Sequence, residues 1–441
     1  MQLKQLFEEE AQKPIASSII SEFYLSGLDV EAVEKNGVYP IQDLLIAVDS
    51  IDSLQSSWRV VSQLQKEQIC NPFFGIFASP DAKNSSIVVP YIGEDGLGLP
   101  DRDYYDTESK KEIREKYLVH ISKMFQLIGV AESNANDKAS QVLSLETKMA
   151  LLFLRQVERR DTDKTYNKTT YFDLKSLAPA IQWDTIFANI GGDFSGAIIM
   201  QNLTYLTELS KLLQVTELDH IKSYLKFHIL TSVAPYLSKS FVDEDFSFYQ
   251  KTLSGTLENE VRWKRVITTV SNNIRDPVSK AYVERNFTPE AKKSALEMVQ
   301  VIIAVFRERI PAAEWMSEAT KIKALEKLDN FRVKIGYPDK WNDFTSLEGK
   351  LCRNKSYLTN LRIAKAFVYQ LDNVNQFNKP VDTTQWEMPP FMVNAYYHPT
   401  RNEIVFPAAI LQPPFFFQPT AESPYGEPDL NFGCIGKVFF L

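Results

Sequence analysis

Four histidines, His120, His220, His228 and His398, are all the imidazole that this 441-residue sequence contains. A catalytic zinc needs three protein ligands gathered at one point, commonly including two histidines one turn apart on a helix. His220 and His228 share a helical segment, but eight residues turn the second about 80° from the first and carry it about 12 Å along the axis, too far for one ion. His398 sits in a turn beside Pro399 with no partner in sequence. His220 and His228 read as core-edge or surface histidines rather than ligands. Cys70, Cys352 and Cys434 are far apart and form no C-x-x-C pair, so they read as isolated buried thiols and not as a disulfide framework. No G-x-S-x-G elbow occurs, and no cysteine lies in a local signature of nucleophilic catalysis. Gly93, Gly96 and Gly98 stand in the order G-x-x-G-x-G, the reverse of a dinucleotide fingerprint. The 56 carboxylates offer no pair that spacing alone selects.

The elements that could position any such chemistry lead up to one stretch, 388–417, which reads MPPFMVNAYYHPTRNEIVFPAAILQPPFFF. Phe391-Met392-Val393 and Ile404-Val405-Phe406 are β-favouring runs, and 397–403 between them supplies the polar and proline residues of a reversal. The pattern predicts a hairpin or two neighbouring strands. Pro407 and Pro413-Pro414 then forbid further ladder bonds and carry Ile410, Leu411 and Phe415 onto an apolar surface. An ordinary hairpin closing a core fits the same pattern.

The wording of the stretch goes further. Val393-Asn394-Ala395-Tyr396-Tyr397, then Asn402 to Ala408, then Ile410 to Phe416, closely resembles the segment just upstream of the zinc site in the neprilysin and endothelin-converting-enzyme family of metallopeptidases. The resemblance implies that Asn394 and Ala395 lie on an edge strand that pairs with bound peptide. It also implies that Ile410 and Phe415 line the pocket for the residue after the scissile bond. The physics is strand addition, in which an exposed edge offers N–H and C=O groups to an extended chain. A helix carrying H-E-x-x-H should follow, with zinc and an activated water as the family's cofactor chemistry. The sequence instead runs Asn431-Phe432-Gly433-Cys434-Ile435-Gly436-Lys437 to Leu441; Cys434 stands where the family usually has glycine, and Lys437 onward departs from it. The expectation is a neprilysin-like zinc metalloendopeptidase present as a fragment, with no catalytic and no metal-ligating residues in this chain and no zinc bound to it. The alternative is a non-catalytic helical protein that binds peptides or serves as a scaffold.

A net charge of -7 and a pI near 5.4, with basic residues scattered, exclude a nucleic-acid footprint. The longest apolar runs, such as 301–306, fall far short of the roughly 20 residues of a membrane helix, so no membrane-spanning segment is expected. The partners implied by the resemblance are short peptides. No secretory signal is legible in the acidic, amphipathic opening residues. The family usually has a further segment before this point, which is compatible with an extracytoplasmic parent. N-x-S/T triplets begin at Asn84, Asn167, Asn202, Asn286 and Asn354.

Hydrophobic periodicity predicts a mainly α fold. The resemblance implies a large multi-helical domain over 1–380 that caps the cleft, followed over 381–441 by the first strands of an incomplete thermolysin-like α/β catalytic domain. Apolar stripes at Leu54, Trp58, Val61 and Leu64, at Ile113, Tyr117, Ile121, Met124 and Phe125, and at Val142, Leu145, Met149, Leu152 and Phe153 predict amphipathic helices. Ser53 is a candidate cap. Thr288-Pro289-Glu290 starts a helix with a stripe of Ala295, Val299, Ile302 and Phe306, and Pro311 ends it. The β component is expected at 73–91, as a small hairpin, and at 391–407. The phrase 97–105, together with Glu146, Arg159-Arg160-Asp161 and Tyr166-Asn167, also resembles the family. These charges read as solvated or paired on helical faces, with a fraction of a kcal/mol at stake and no catalytic role.

Overall fold

Ser53 closes a capping box with Ser56, accepting from the Ser56 amide at 3.2 Å and donating its own amide to Ser56 Oγ at 3.1 Å, and so starts α1 (Leu54–Lys66). Trp58, Val61 and Leu64 are fully buried along one stripe of α1, and Trp58 Nε1 donates to Ala180 O at 2.9 Å. The computed structural model describes residues 2–14, 18–420 and 428–438. The chain divides into two units: 15–269 with 349–381, and 1–14 with 270–348 and 382–441.

The first unit is helical around a small sheet. α2 (Lys111–Leu127), α3 (Glu132–Ala150) and α4 (Leu218–Val233) pack on one another. Tyr117, Ile121, Met124 and Phe125 meet Val142, Leu145 and Met149, as the 3.6-residue stripes require, while Ile113 is only half-buried. The sheet has strand order β1-β2-β4-β3, from β1 (Phe74–Asp81), β2 (Asn84–Glu94), β3 (Asn167–Thr170) and β4 (Ala197–Met200). β1 and β2 are the expected hairpin; β3 and β4 extend it beyond what alternation in short four-residue strands reveals. The outer edge of β1 is closed by side chains. Gln65 Nε2 donates to Phe74 O, Tyr369 Oη donates to Ile76 O, and Asn373 Oδ1 accepts from the Ala78 amide, at 2.6, 3.0 and 2.8 Å.

The second unit is built on α5 (Pro289–Ala312), which Thr288 caps by accepting from the Ala291 amide at 3.2 Å. Ala291, Ala295, Met298, Val299 and Ile302 are its buried stripe; Phe306 is half-buried. α6 (Glu318–Asp329) follows and buries no residue fully. A three-stranded sheet of order β5-β7-β6 lies against α5, from β5 (Arg332–Gly336), β6 (Tyr396–His398) and β7 (Glu403–Pro407). β5 runs parallel to β7, and β6 antiparallel to it. Ile335 and Phe406 meet Ala295, Met298, Val299 and Ile302 of α5 in a space too small for water. The helix Gln2–Ala11 belongs to this unit too: Arg285, on the helix Arg275–Asn286, holds Glu9 through both guanidinium nitrogens, and Tyr282 Oη donates to Gln2 Oε1 at 2.8 Å.

The hairpin around 397–403 forms, but its first strand is not Phe391-Met392-Val393. Those residues follow Pro389-Pro390, and the chain there turns tightly, with Met392 N donating to Pro389 O and Asn394 N to Met392 O, both at 3.0 Å. Two successive prolines have no N–H for a ladder, so the strand begins only at Tyr396. β5 is a further strand that the hydrophobic pattern does not predict. Phe439, Phe440 and Leu441, the apolar end of the sequence, lie outside the described residues.

Candidate functional site

Alternation gives the β5-β7-β6 sheet two unlike faces. Ile335, Ile404 and Phe406 are buried hydrophobics. The other face carries Lys334, Glu403, Tyr396 and His398, with His398 opposite Glu403 and Tyr396 opposite Val405 in the register. Glu403 is fully buried, and Lys334 Nζ stands 2.9 Å from its Oε2. Arg401 Nη1 stands 3.6 Å from its Oε1. Burial lowers the Lys334 pKa, and the Glu403 carboxylate partly opposes that. Segment 385–387 crosses this polar face. Lys334 Nζ donates to Gln385 O at 2.6 Å, the Glu387 amide donates to Tyr396 Oη at 2.9 Å, and Glu387 Oε1 lies 2.9 Å from His398 Nε2. Burial first, and the nearby carboxylates after it, push the Tyr396 phenol up to about 12.

β6 is the edge strand of this sheet, and Asn394 and Ala395 come immediately before it. Asn394 is exposed, and its Oδ1 accepts from the Ala395 amide at 2.8 Å. Its own amide is turned back to Met392 O. Both amides of the pair are thus engaged locally, which leaves their carbonyls and the Asn394 NH2 group as the groups to offer. Ile410 and Phe415 lie beyond β7. Ile410 is buried at 7% exposure, and Phe415 is 39% exposed while its neighbour Phe416 is fully buried. The turn before Asn394 and the segment before Ile410 are joined by Ala409 N donating to Pro390 O at 2.9 Å.

The first unit holds a second concentration of polar chemistry. Glu146 is fully buried; it accepts from Tyr105 Oη at 2.7 Å and Tyr117 Oη at 3.0 Å, and its Oε1 lies 2.7 Å from His228 Nε2. Burial, and after it the Glu146 charge, hold both phenols well above the ordinary range. Of the two readings of Glu146, solvated or paired on a helical face, the paired one holds, but α3 turns it into the core rather than onto an exposed face, and there Tyr105, Tyr117 and His228 replace water. Its donors come from 29 to 82 residues away, so no local signal marks it.

The remaining histidines are engaged as well. His120 Nδ1 lies 3.0 Å from Glu244 Oε1, burial lowers its pKa, and its ring stacks on Phe248. His220 Nε2 is 3.9 Å from Glu217 Oε2. Among the described residues, no group of three or more His, Cys, Asp or Glu side chains is arranged to hold a metal ion. These residues do not fit a zinc ion.

The sequence pattern of Peptidase family M13 matches residues 1–338 with its N-terminal part and residues 394–440 with its other part. The chain belongs to peptidase family M13. Human endothelin-converting enzyme 1 is 33% identical over 404 residues, an alignment covering 88% of this chain and 50% of that protein. Neprilysin-3 of Drosophila melanogaster is 30% identical over 444 residues, covering 94% and 55%. The chain therefore spans about half the length of these M13 relatives. Among solved structures, the zinc metalloprotease ZMP1 of Mycobacterium tuberculosis in complex with an inhibitor superposes with a TM-score of 0.90 at 33% identity, covering 99% of this chain and 65% of that one. The mainly helical fold with small sheets is that of the M13 N-terminal domain and the start of its catalytic domain. No helix among the described residues is long and apolar enough to cross a membrane.

Proposed function

We propose that this chain supplies the cleft-capping helical domain, 1–380, and the first catalytic-domain strands, 381–441, of a neprilysin-like zinc metalloendopeptidase that hydrolyses short peptides, in an extracytoplasmic setting. The observation that carries this reading is the Asn394-Ala395 pair, with Asn394 exposed and Ala395 half-buried, directly before the edge strand β6, in a chain of this family. An extended peptide would add to that edge, the carbonyls and side-chain amide of the pair would fix its register, and Ile410 and Phe415 would border the adjacent side-chain pocket. The sequence contains no H-E-x-x-H, so the proposal assigns the 441 residues by themselves substrate binding and not bond cleavage. Two measurements test it. Calorimetry with short apolar peptides should give binding that Asn394→Ala weakens. Metal analysis should find no stoichiometric zinc, and incubation with the same peptides should give no chelator-sensitive cleavage. One tightly held zinc per chain would overturn the assignment of chemistry. The gene downstream of codon 433 separates this from a finished, non-catalytic scaffold: an H-E-x-x-H readable there in any frame supports the peptidase, and its absence the scaffold.

A further inference from the structure

β6 is three residues long and pairs on one side only, with β7. Three residues of one-sided ladder do not hold a strand against fraying. What holds it is on the polar face. Tyr396 and His398, the two β6 residues on that face, both reach Glu387: its backbone amide donates to Tyr396 Oη, and its carboxylate meets His398 Nε2. The other ring nitrogen, His398 Nδ1, lies 3.1 Å from Thr400 Oγ1. With Nε2–H donating to the carboxylate and Nδ1 accepting from the hydroxyl, the neutral ring is satisfied at both nitrogens. Residues 387–396 therefore form a loop closed at its neck by side chains, and Asn394 and Ala395 lie inside that loop. The strand-side end of the neck is β6. Its other end is pinned through Gln385 O to Lys334 on β5, and Lys334 is paired with buried Glu403 on β7. The loop's far side is tied at one further point, Ala409 N to Pro390 O.

We propose that Glu387 is a positioning residue: through His398 and Tyr396 it closes the neck of the 387–396 loop and so sets the edge to which a peptide adds. The proposal rests on the peptide-binding reading above and adds to it a residue outside the segment that would touch the peptide. A neck that is already closed spares the binding step the ordering of a ten-residue loop, which is a preorganisation effect on affinity. The Glu387 side chain is 50% exposed, so removing it takes nothing from a core.

The test uses the 441-residue chain with Glu387→Ala, Glu387→Gln and His398→Ala. It measures amide hydrogen exchange over 394–398 and calorimetric binding of one synthetic apolar heptapeptide. Glu387→Ala and His398→Ala should each speed exchange at 396–398 by about tenfold or more and weaken the heptapeptide by a similar factor, with the thermal midpoint of the chain unmoved. Glu387→Gln keeps a carbonyl oxygen for His398 Nε2–H and should restore most of both, which a role in bulk stability would not predict. Exchange at 394–398 unchanged in Glu387→Ala overturns the neck, whatever the peptide does. Faster exchange in variants of a chain that binds no heptapeptide supports the neck and overturns the peptide-binding reading alone.

Discussion

His228 Nε2 lies 2.7 Å from Glu146 Oε1 in the interior of the helical unit, joining α4 to α3 where both side chains are buried. Removing one partner of such a contact strands the other without water. His228→Ala should therefore destabilise the unit by about 3 kcal/mol, and Tyr105→Phe, which removes one of the three donors, by about 1–2 kcal/mol. Urea unfolding followed by tyrosine and tryptophan fluorescence checks both. A His228→Ala loss below about 1 kcal/mol would show that the cluster relaxes without it.

Gly98 is fixed by the same cluster. A Cβ there would come within 1.8 Å of Tyr117 Oη and 3.4 Å of Glu146 Oε1, so the phenol would have to leave its carboxylate. Gly98→Ala should cost about 3 kcal/mol by overpacking and loss of a buried hydrogen bond. If the cause is this collision, the loss in the double variant Gly98→Ala/Tyr117→Phe should fall short of the sum of the single losses. Strict additivity in a double-mutant cycle would rule it out.

Asp245, which ends the helix Lys239–Asp245, sets a pH dependence. Burial raises its pKa from 3.8 to about 7, with Glu244 adding to the rise and Arg265 opposing it. The folded state thus holds a proton that the unfolded state has already released between about pH 4 and 7. Stability must fall as pH rises through that window and stay reduced above it. Asp245→Asn should be neutral below pH 4 and stabilising by on the order of 2 kcal/mol at pH 8. Thermal melts of the two proteins at pH 4 and pH 8 decide it; a constant difference between them would place the titration elsewhere.

Asn394→Ala removes the acceptor for the Ala395 amide and an exposed amide that a peptide can use. It should weaken heptapeptide binding by about tenfold and leave thermal stability within about 0.5 kcal/mol. Equal affinity in the variant would remove Asn394 from the site.

Helices were readable where an apolar stripe repeats over three or more turns, as at Tyr117-Ile121-Met124 and Ala295-Val299-Ile302, because burial enforces that period. β5 was not read because the alternation in Arg332-Val333-Lys334-Ile335 is only four residues long and directly follows a helix, and the strand is made by pairing with β7 about 70 residues later. The strand misplaced at Phe391 failed for a local reason, the two prolines before it. Asn394, Ala395, Ile410 and Phe415 were found through family wording alone; nothing in their spacing marks them. Glu387 escaped altogether, and Glu146 was marked only by family wording with no sign of its buried cluster, because a lone carboxylate acquires meaning only from donors that the fold brings to it from elsewhere in the chain.

The ion pair of Glu9 with Arg285 joins residues 276 positions apart. A ribosome delivers the chain from its N-terminus, so the helix Gln2–Ala11 leaves the exit tunnel long before the helix it packs on has been made. At about 5–20 residues per second that wait is on the order of tens of seconds, during which a helix whose Leu6 and Phe7 are buried in the folded chain lacks the helix Arg275–Asn286. The unit of 15–269 and 349–381 is interrupted in the same way, since its last segment emerges only after part of the other unit. Synthesis therefore imposes an order in which neither unit can finish when it starts, and a nascent chain of this kind is a natural client for factors that shield apolar helices until their partners arrive.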